Sequence, residues 1–210
     1  MISDTIHNIQ SYLEHLDARI QHSPDFVKQA FAQSVEDMQF HFPDFSAEAT
    51  AERITRNASE AAVYLYRLGR LYYQDGSEEK ISQMHGLLRF ACACEVYFST
   101  EINVGLHLVH SAGTIIGSRN TIGKGFIAYQ NCTIGHDHDD QAGAVIGDMV
   151  TLMPYSSIIG DVKIGNNVVV GAYTLVKDDV PGDSVIAGLP GKIVERGAQD
   201  VNRRIRPNLR

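Results

Sequence analysis

Ile146-Gly147-Asp148-Met149-Val150-Thr151, Leu152-Met153-Pro154-Tyr155-Ser156-Ser157, Ile158-Ile159-Gly160-Asp161-Val162-Lys163, Ile164-Gly165-Asn166-Asn167-Val168-Val169 and Val170-Gly171-Ala172-Tyr173-Thr174-Leu175 are five consecutive six-residue units. Each opens on an aliphatic residue. The same phase runs upstream through Ile116, Ile122, Ala128 and Ile134 and downstream to Val176. Small or β-branched residues sit four places later, at Cys132, Val150, Ser156, Val162, Val168 and Thr174. A fixed period is the signature of a stacked architecture. Six residues make one short strand and one corner. The aliphatic residue then points inward and stacks on its counterpart in the next coil.

Two irregularities interrupt the repeat. The phase is kept from Ile134 to Ile146, yet residues 135–145 lack the pattern, so Gly135-His136-Asp137-His138-Asp139-Asp140-Gln141-Ala142-Gly143 reads as a loop extruded from the coil. Between Leu108 and Ile116 the spacing slips by two residues, around His110. Irregular positions inside a regular solenoid are where function is expected.

The chain before about Ile102 has a different period. Ile6, Ile9, Leu13, Leu16 and Ile20 recur at helical spacing. Ser23-Pro24-Asp25 then offers a cap, a first-turn proline and an acid, and the stripe Phe26, Ala30, Phe31, Val35 and Met38 follows. Phe42-Pro43-Asp44 breaks that helix and Ser46 caps the next. Further helices are expected over Ala58–Tyr73 and from Glu78 to about Ala93, separated by the turn Asp75-Gly76-Ser77.

The fold expected is therefore α+β: a helical domain over 1–94, a stacked coil of six-residue strand-and-turn repeats over 95–194, and a basic tail over 195–210. Residues 1–110 hold 15 acids and 8 bases, while 111–210 hold 10 of each. The acidic excess thus belongs to the first half, and a net charge of −7 argues against a nucleic-acid partner. Arg203, Arg204, Arg206 and Arg210 make the tail locally basic, read here as a solvated end. Three cysteines, Cys92, Cys94 and Cys132, give no disulfide framework or zinc-knuckle spacing. With no signal peptide or membrane span apparent, a cytoplasmic location is expected.

The hexapeptide units resemble those of the hexapeptide acyltransferases, which implies a left-handed parallel β-helix of hexapeptide repeats over 95–194, and the helical domain before them is similar to that of the serine O-acetyltransferases. The resemblance runs roughly from Asp44 to Val194. It rests on Tyr66-Arg67-Leu68-Gly69-Arg70, Gly105-Leu106-His107-Leu108-Val109-His110-Ser111-Ala112-Gly113, Gln130-Asn131-Cys132-Thr133-Ile134-Gly135 and Ala187-Gly188-Leu189-Pro190-Gly191-Lys192. It implies acetyl transfer from acetyl-CoA, the co-substrate, to a hydroxyl acceptor, and a place in cysteine biosynthesis, with no metal. His110 falls at the general base, Glu95 at the carboxylate that orients it, and Gly135 at a glycine beside the thioester carbonyl. Asp44 falls at an acceptor-binding aspartate, with His136 and His138 standing in for a loop histidine. Met153, Tyr155, Ser156, Gly171, Ala172, Lys177 and Lys192 fall along the CoA path. Subunits of the family form trimers or pairs of trimers, with sites between neighbours.

The chain departs from that pattern at two acceptor contacts. Val109 replaces an aspartate next to the base, and the loop is two residues shorter, with Ala142-Gly143 in place of an Arg-His pair. Those losses leave a sugar or natural-product hydroxyl open as the acceptor. Two readings outside this class remain at this stage: a zinc carbonic-anhydrase-like β-helix built on His110, His136 and His138, and a non-catalytic scaffold.

Overall fold

The computed structural model describes residues 7–9, 11–14, 21–138 and 142–197. Residues 7–9 and 11–14 are helical, and Ile9 and Leu13 are fully buried. Four helices follow: α1 (Pro24–His41), α2 (Ala47–Arg56), α3 (Ala58–Asp75) and α4 (Glu78–Cys92). Ile6, Leu16, Ile20 and the four tail arginines lie outside the described residues. Ser46 caps α2 as expected, its Oγ accepting from the Ala49 amide at 3.1 Å. Ser23 precedes α1 without a side-chain cap bond. Gly76 ends α3 at φ 77°, the left-handed conformation glycine adopts without strain. Among the described residues no helix is long and apolar enough to cross a membrane.

Among the described residues, fifteen short strands then follow, and they wind into a three-sided prism, a left-handed parallel β-helix closed by one antiparallel strand. The first sheet is β1 (Glu95–Val96), β4 (Ile115–Ile116), β7 (Thr133–Gly135), β10 (Ser157–Ile159) and β13 (Leu175–Val176). The second is β2 (Glu101–Ile102), β5 (Thr121–Ile122), β8 (Val145–Ile146) and β11 (Lys163–Ile164). The third is β3 (His107–Leu108), β6 (Ile127–Ala128), β9 (Thr151–Leu152), β12 (Val169–Val170), β14 (Ser184–Ala187) and β15 (Lys192–Arg196). All neighbours run parallel except β14 and β15.

The six-residue phase places the interior. Ile116, Ile134, Ile158 and Val176 stack inside the first sheet, Ile122, Ile146 and Ile164 inside the second, and Ala128, Leu152 and Val170 inside the third. All are buried, as are the corner-filling Cys132, Val150, Ser156, Val162, Val168 and Thr174. A corner turns tightly because one residue takes positive φ. At the corner from third to first sheet these are Gly113, Asn131, Tyr155 and Tyr173. Each donates its amide to the coil before: Asn131 to the Ala112 carbonyl at 3.0 Å, Tyr155 to Gln130 at 3.1 Å and Tyr173 to Pro154 at 3.1 Å.

The first coil has no coil above it, so its carbonyls need other donors. The helical domain supplies them. Tyr66 Oη donates to the Thr100 carbonyl at 2.9 Å, Arg67 to Ile102 at 2.7 Å and Asn103 at 2.9 Å, and Arg70 to Phe98 at 2.7 Å. Arg67 also pairs with Asp37 from α1, at 2.8 Å from Nε and 2.7 Å from Nη2. Asp37 Oδ1 in turn accepts from the amides of Gly105 and Leu106. The Tyr-Arg-Leu-Gly-Arg segment thus caps the solenoid. Its Gly69 is also required sterically: a Cβ there would lie 2.2 Å from the Phe98 ring, which is buried between Tyr66 and His85. Gly69→Ala is expected to cost about 1–3 kcal/mol by overpacking. Denaturant titration checks this, and an unchanged midpoint would contradict it.

Candidate active site

Successive strands of the first sheet begin 20, 18, 24 and 18 residues apart. The regular coil is three hexads, so two residues are added in the first turn and six in the third. The two-residue addition lies at the corner between β3 and β4. From Leu108 to Ile115 is seven positions, against five from Ala128 to Thr133 and from Leu152 to Ser157. The six-residue addition is the loop between β7 and β8, of which 139–141 lie outside the described residues.

The first irregularity presents His110. Its side chain is exposed, whereas the backbone around it is fastened on both sides. The Ser111 amide donates to Ser59 Oγ at 3.0 Å, from the first turn of α3. Ser111 Oγ donates to the Cys92 carbonyl at 2.9 Å, at the end of α4, and the Gly113 amide to Ala93 at 2.8 Å. An exposed imidazole on a clamped backbone suits a group that must meet a substrate in fixed geometry. Glu95 opens β1 opposite Ile115, half-buried, and its Oε2 accepts from Arg89 Nη2 at 2.9 Å.

A chain of contacts links this corner to Asp44. Asp44 is exposed in the turn between α1 and α2. The ring of the next residue, Phe45, lies 5.7 Å beneath the Arg53 guanidinium. Arg53 pairs with Glu60, and Glu60 adjoins Ser59. His107 packs against His41 and Phe42 at ring distances of 5.3 and 5.7 Å on the same side. Asp44 and His110 are thus connected within one chain through Phe45, Arg53, Glu60, Ser59 and Ser111. The residues between them carry no sequence motif: Arg53 lies in the last turn of α2, and Ser59 and Glu60 lie in the first turn of α3.

Gly135 and His136 occupy the opposite edge of the first sheet. His136 Nε2 donates to the Ser118 carbonyl at 2.7 Å, which leaves Nδ1 buried and unbonded. A Cβ on Gly135 would meet only ordinary contacts, at 3.5 Å and beyond, so packing within the chain does not demand glycine there. His138 is exposed. Four residues, about 13 Å at 3.3 Å per residue, span the sheet between these edges. His110 and the loop histidines are thus not brought together within one chain, and among the described residues no three of His, Cys, Asp and Glu are grouped to hold a metal.

Below His110 the same corner column continues through Met153, Pro154, Tyr155, Ala172 and Tyr173. Tyr155 and Tyr173 are exposed and stack with centroids 4.8 Å apart and planes 5° from parallel. Pro154 leaves one fewer donor on this wall, as its ring demands. Gly171 donates its amide to the Ile186 carbonyl at 2.8 Å. Ser156 is fully buried, its Oγ 3.7 Å from Cys132 Sγ. Lys177 pairs with Asp137 of the loop at 3.0 Å, tying that loop to the end of β13. Lys192 is exposed at the start of β15.

Comparison with known proteins agrees with this architecture. The family described as bacterial transferase hexapeptide (six repeats) matches residues 143–178. A serine acetyltransferase of Staphylococcus epidermidis is 30% identical over 162 residues, covering 76% of each chain. Among solved structures, the serine acetyltransferase of Brucella abortus strain S19 superposes with a TM-score of 0.76 at 18% identity, over 93% of this chain and 84% of that one. A serine acetyltransferase in complex with CoA gives 0.70 at 18%, over 88% and 74%. The stacked hexads and the helical cap define an acyltransferase of the hexapeptide class. Within that class, the chain belongs to the serine acetyltransferase family.

Proposed function

We propose that the protein transfers the acetyl group of acetyl-CoA to the hydroxyl of a small amine-bearing acceptor, L-serine first among them, at a site completed by a second copy of the chain. The observation that carries this reading is His110, exposed on the corner that Ser59 and Cys92 hold. A hydroxyl is a weak nucleophile at neutral pH, and a positioned imidazole removes its proton as it attacks. The acceptor oxygen bonds to the thioester carbon, the C–S bond breaks, and the imidazolium returns its proton to the departing CoA sulfur. In this reading Glu95, which Arg89 holds at the start of β1, is the carboxylate assigned to orient the ring, and Asp44 offers a carboxylate to the acceptor. Gly135 supplies the backbone amide at the developing oxyanion.

The separation of His110 from Gly135 and His136 across the first sheet supports a cyclic assembly. In a trimer, the corner of one copy would meet the loop edge of the next, and the tyrosine stack would line the cleft between them as a wall for CoA. Family members solved with CoA and with serine support both ligands here.

The test is CoA release from acetyl-CoA, followed with a thiol reagent, against L-serine, homoserine, amino sugars and neutral sugars. Turnover with an amine-bearing alcohol is expected; turnover with neutral sugars alone would replace this acceptor assignment. The protein itself should add no signal. Burial pushes the Cys92 and Cys94 thiols up to about 12 and raises Cys132 as well. At pH 8 about 1 in 10⁴ of the first two would be thiolate. Native protein is expected to react slowly with the reagent and unfolded protein fully; rapid native labelling of three thiols would contradict the burial.

A further inference from the structure

We propose that Glu60 determines acceptor specificity by holding the acceptor's ammonium group, a role that rests on the acetyl-transfer reading above. Glu60 lies in the first turn of α3 and is 6% exposed. One carboxylate oxygen is satisfied: Oε1 accepts from Arg53 Nε at 2.7 Å and from Arg53 Nη2. The other, Oε2, is buried with no hydrogen-bond partner. Buried charged oxygens without donors are costly and rare in native proteins. One that persists beside a candidate site marks a place where a donor belongs.

The space for that donor is present. Glu60 lines a cavity of about 20 Å³, partly open to the surface, together with Ser34, Thr50, Val63 and His107. That volume admits one group the size of water, which a primary ammonium matches. The cavity sits where α1, α2 and α3 meet β3, and Ser59, which shares its lining, holds the Ser111 amide next to His110. An acceptor that buries its ammonium against Glu60 would direct its hydroxyl toward the His110 corner that Ser59 holds. Arg53 bonds Oε1 alone, so Oε2 keeps its capacity to accept from a donor in the cavity. Val109, beside His110, offers the acceptor no charge, and Glu60 restores a negative partner from the helical side.

Calorimetric titration of the full-length protein without acetyl-CoA tests this with three probes: L-serine, ethanolamine, which lacks the carboxylate, and 3-hydroxypropanoate, which lacks the ammonium. In Glu60→Gln, the dissociation constants of serine and ethanolamine should rise about 10- to 100-fold, the weight of one charged hydrogen bond. That of 3-hydroxypropanoate, and the KM for acetyl-CoA, should stay within about twofold. Val63→Ile fills the cavity by one methylene while leaving the Glu60–Arg53 pair, and should give the same selective loss. Equal changes for all three probes, unchanged affinity in both variants, or failure of the wild type to bind ethanolamine would each overturn the proposal. Binding is read without turnover. Selective binding with no CoA release would therefore leave the Glu60 assignment standing while removing the acetyl-transfer reading.

Discussion

Replacing His110 with alanine is expected to lower kcat about 10²- to 10⁴-fold, the range that a positioned general base contributes. The melting temperature should barely move. His110 is exposed, and the bonds that hold its corner come from the backbone and from Ser111, not from the imidazole. The KM for acetyl-CoA should also stay near the wild-type value, because the tyrosine wall lies further down the corner column. Turnover above a tenth of the wild-type rate in a folded His110→Ala protein would remove the general-base assignment. Loss of activity together with a large fall in melting temperature would instead make His110 a structural residue.

The largest effect on stability is expected at Asp37. Asp37 and Arg67 are 2% and 8% exposed, and their pair carries the junction between the helical domain and the first coil. Asp37→Ala would leave the Arg67 guanidinium buried without its counter-charge and free the amides of Gly105 and Leu106. Breaking one side of such a pair costs about 3–5 kcal/mol. Against the about 5–15 kcal/mol that holds most domains together, that is a large fraction. Arg67→Ala should cost a similar amount, and the double variant less than the two combined, since both remove one network. Urea denaturation of the three variants checks this. A loss below about 1 kcal/mol for Asp37→Ala would mean that the junction is held by apolar packing alone. Activity should fall with stability here, because the 103–106 corner leads directly into β3 and His110.

The solenoid was legible in the sequence because a period of six places one apolar residue at the same point of every strand. Ile116, Ile122, Ile134, Ile146, Ile158 and Ile164 all point inward, and both breaks in the phase are real additions to the coil. The helices were legible through their stripes, with Ser46 opening α2 and Gly76 ending α3 where expected. Contacts between the two regions were not. Asp37 and Arg67 are 30 residues apart in unrelated periodic patterns, and nothing in either stripe distinguishes a paired acid from a solvated one. Glu60 was hidden for the same reason: an acid in a first helical turn is ordinary, and only its burial beside Arg53 sets it apart. The stacking of Tyr155 on Tyr173 follows from their spacing of 18 residues, one regular coil, but needs the corner geometry to be seen.

The most direct test of the account is a crystal structure of the protein with CoA bound. The CoA sulfur is expected within about 4 Å of His110 of one copy, with Gly135 of a neighbouring copy facing it across the cleft and the pantetheine arm running along the Tyr155–Tyr173 wall. CoA bound at another face, or a sulfur remote from every His110, would contradict the assignment of this corner as the site of acetyl transfer.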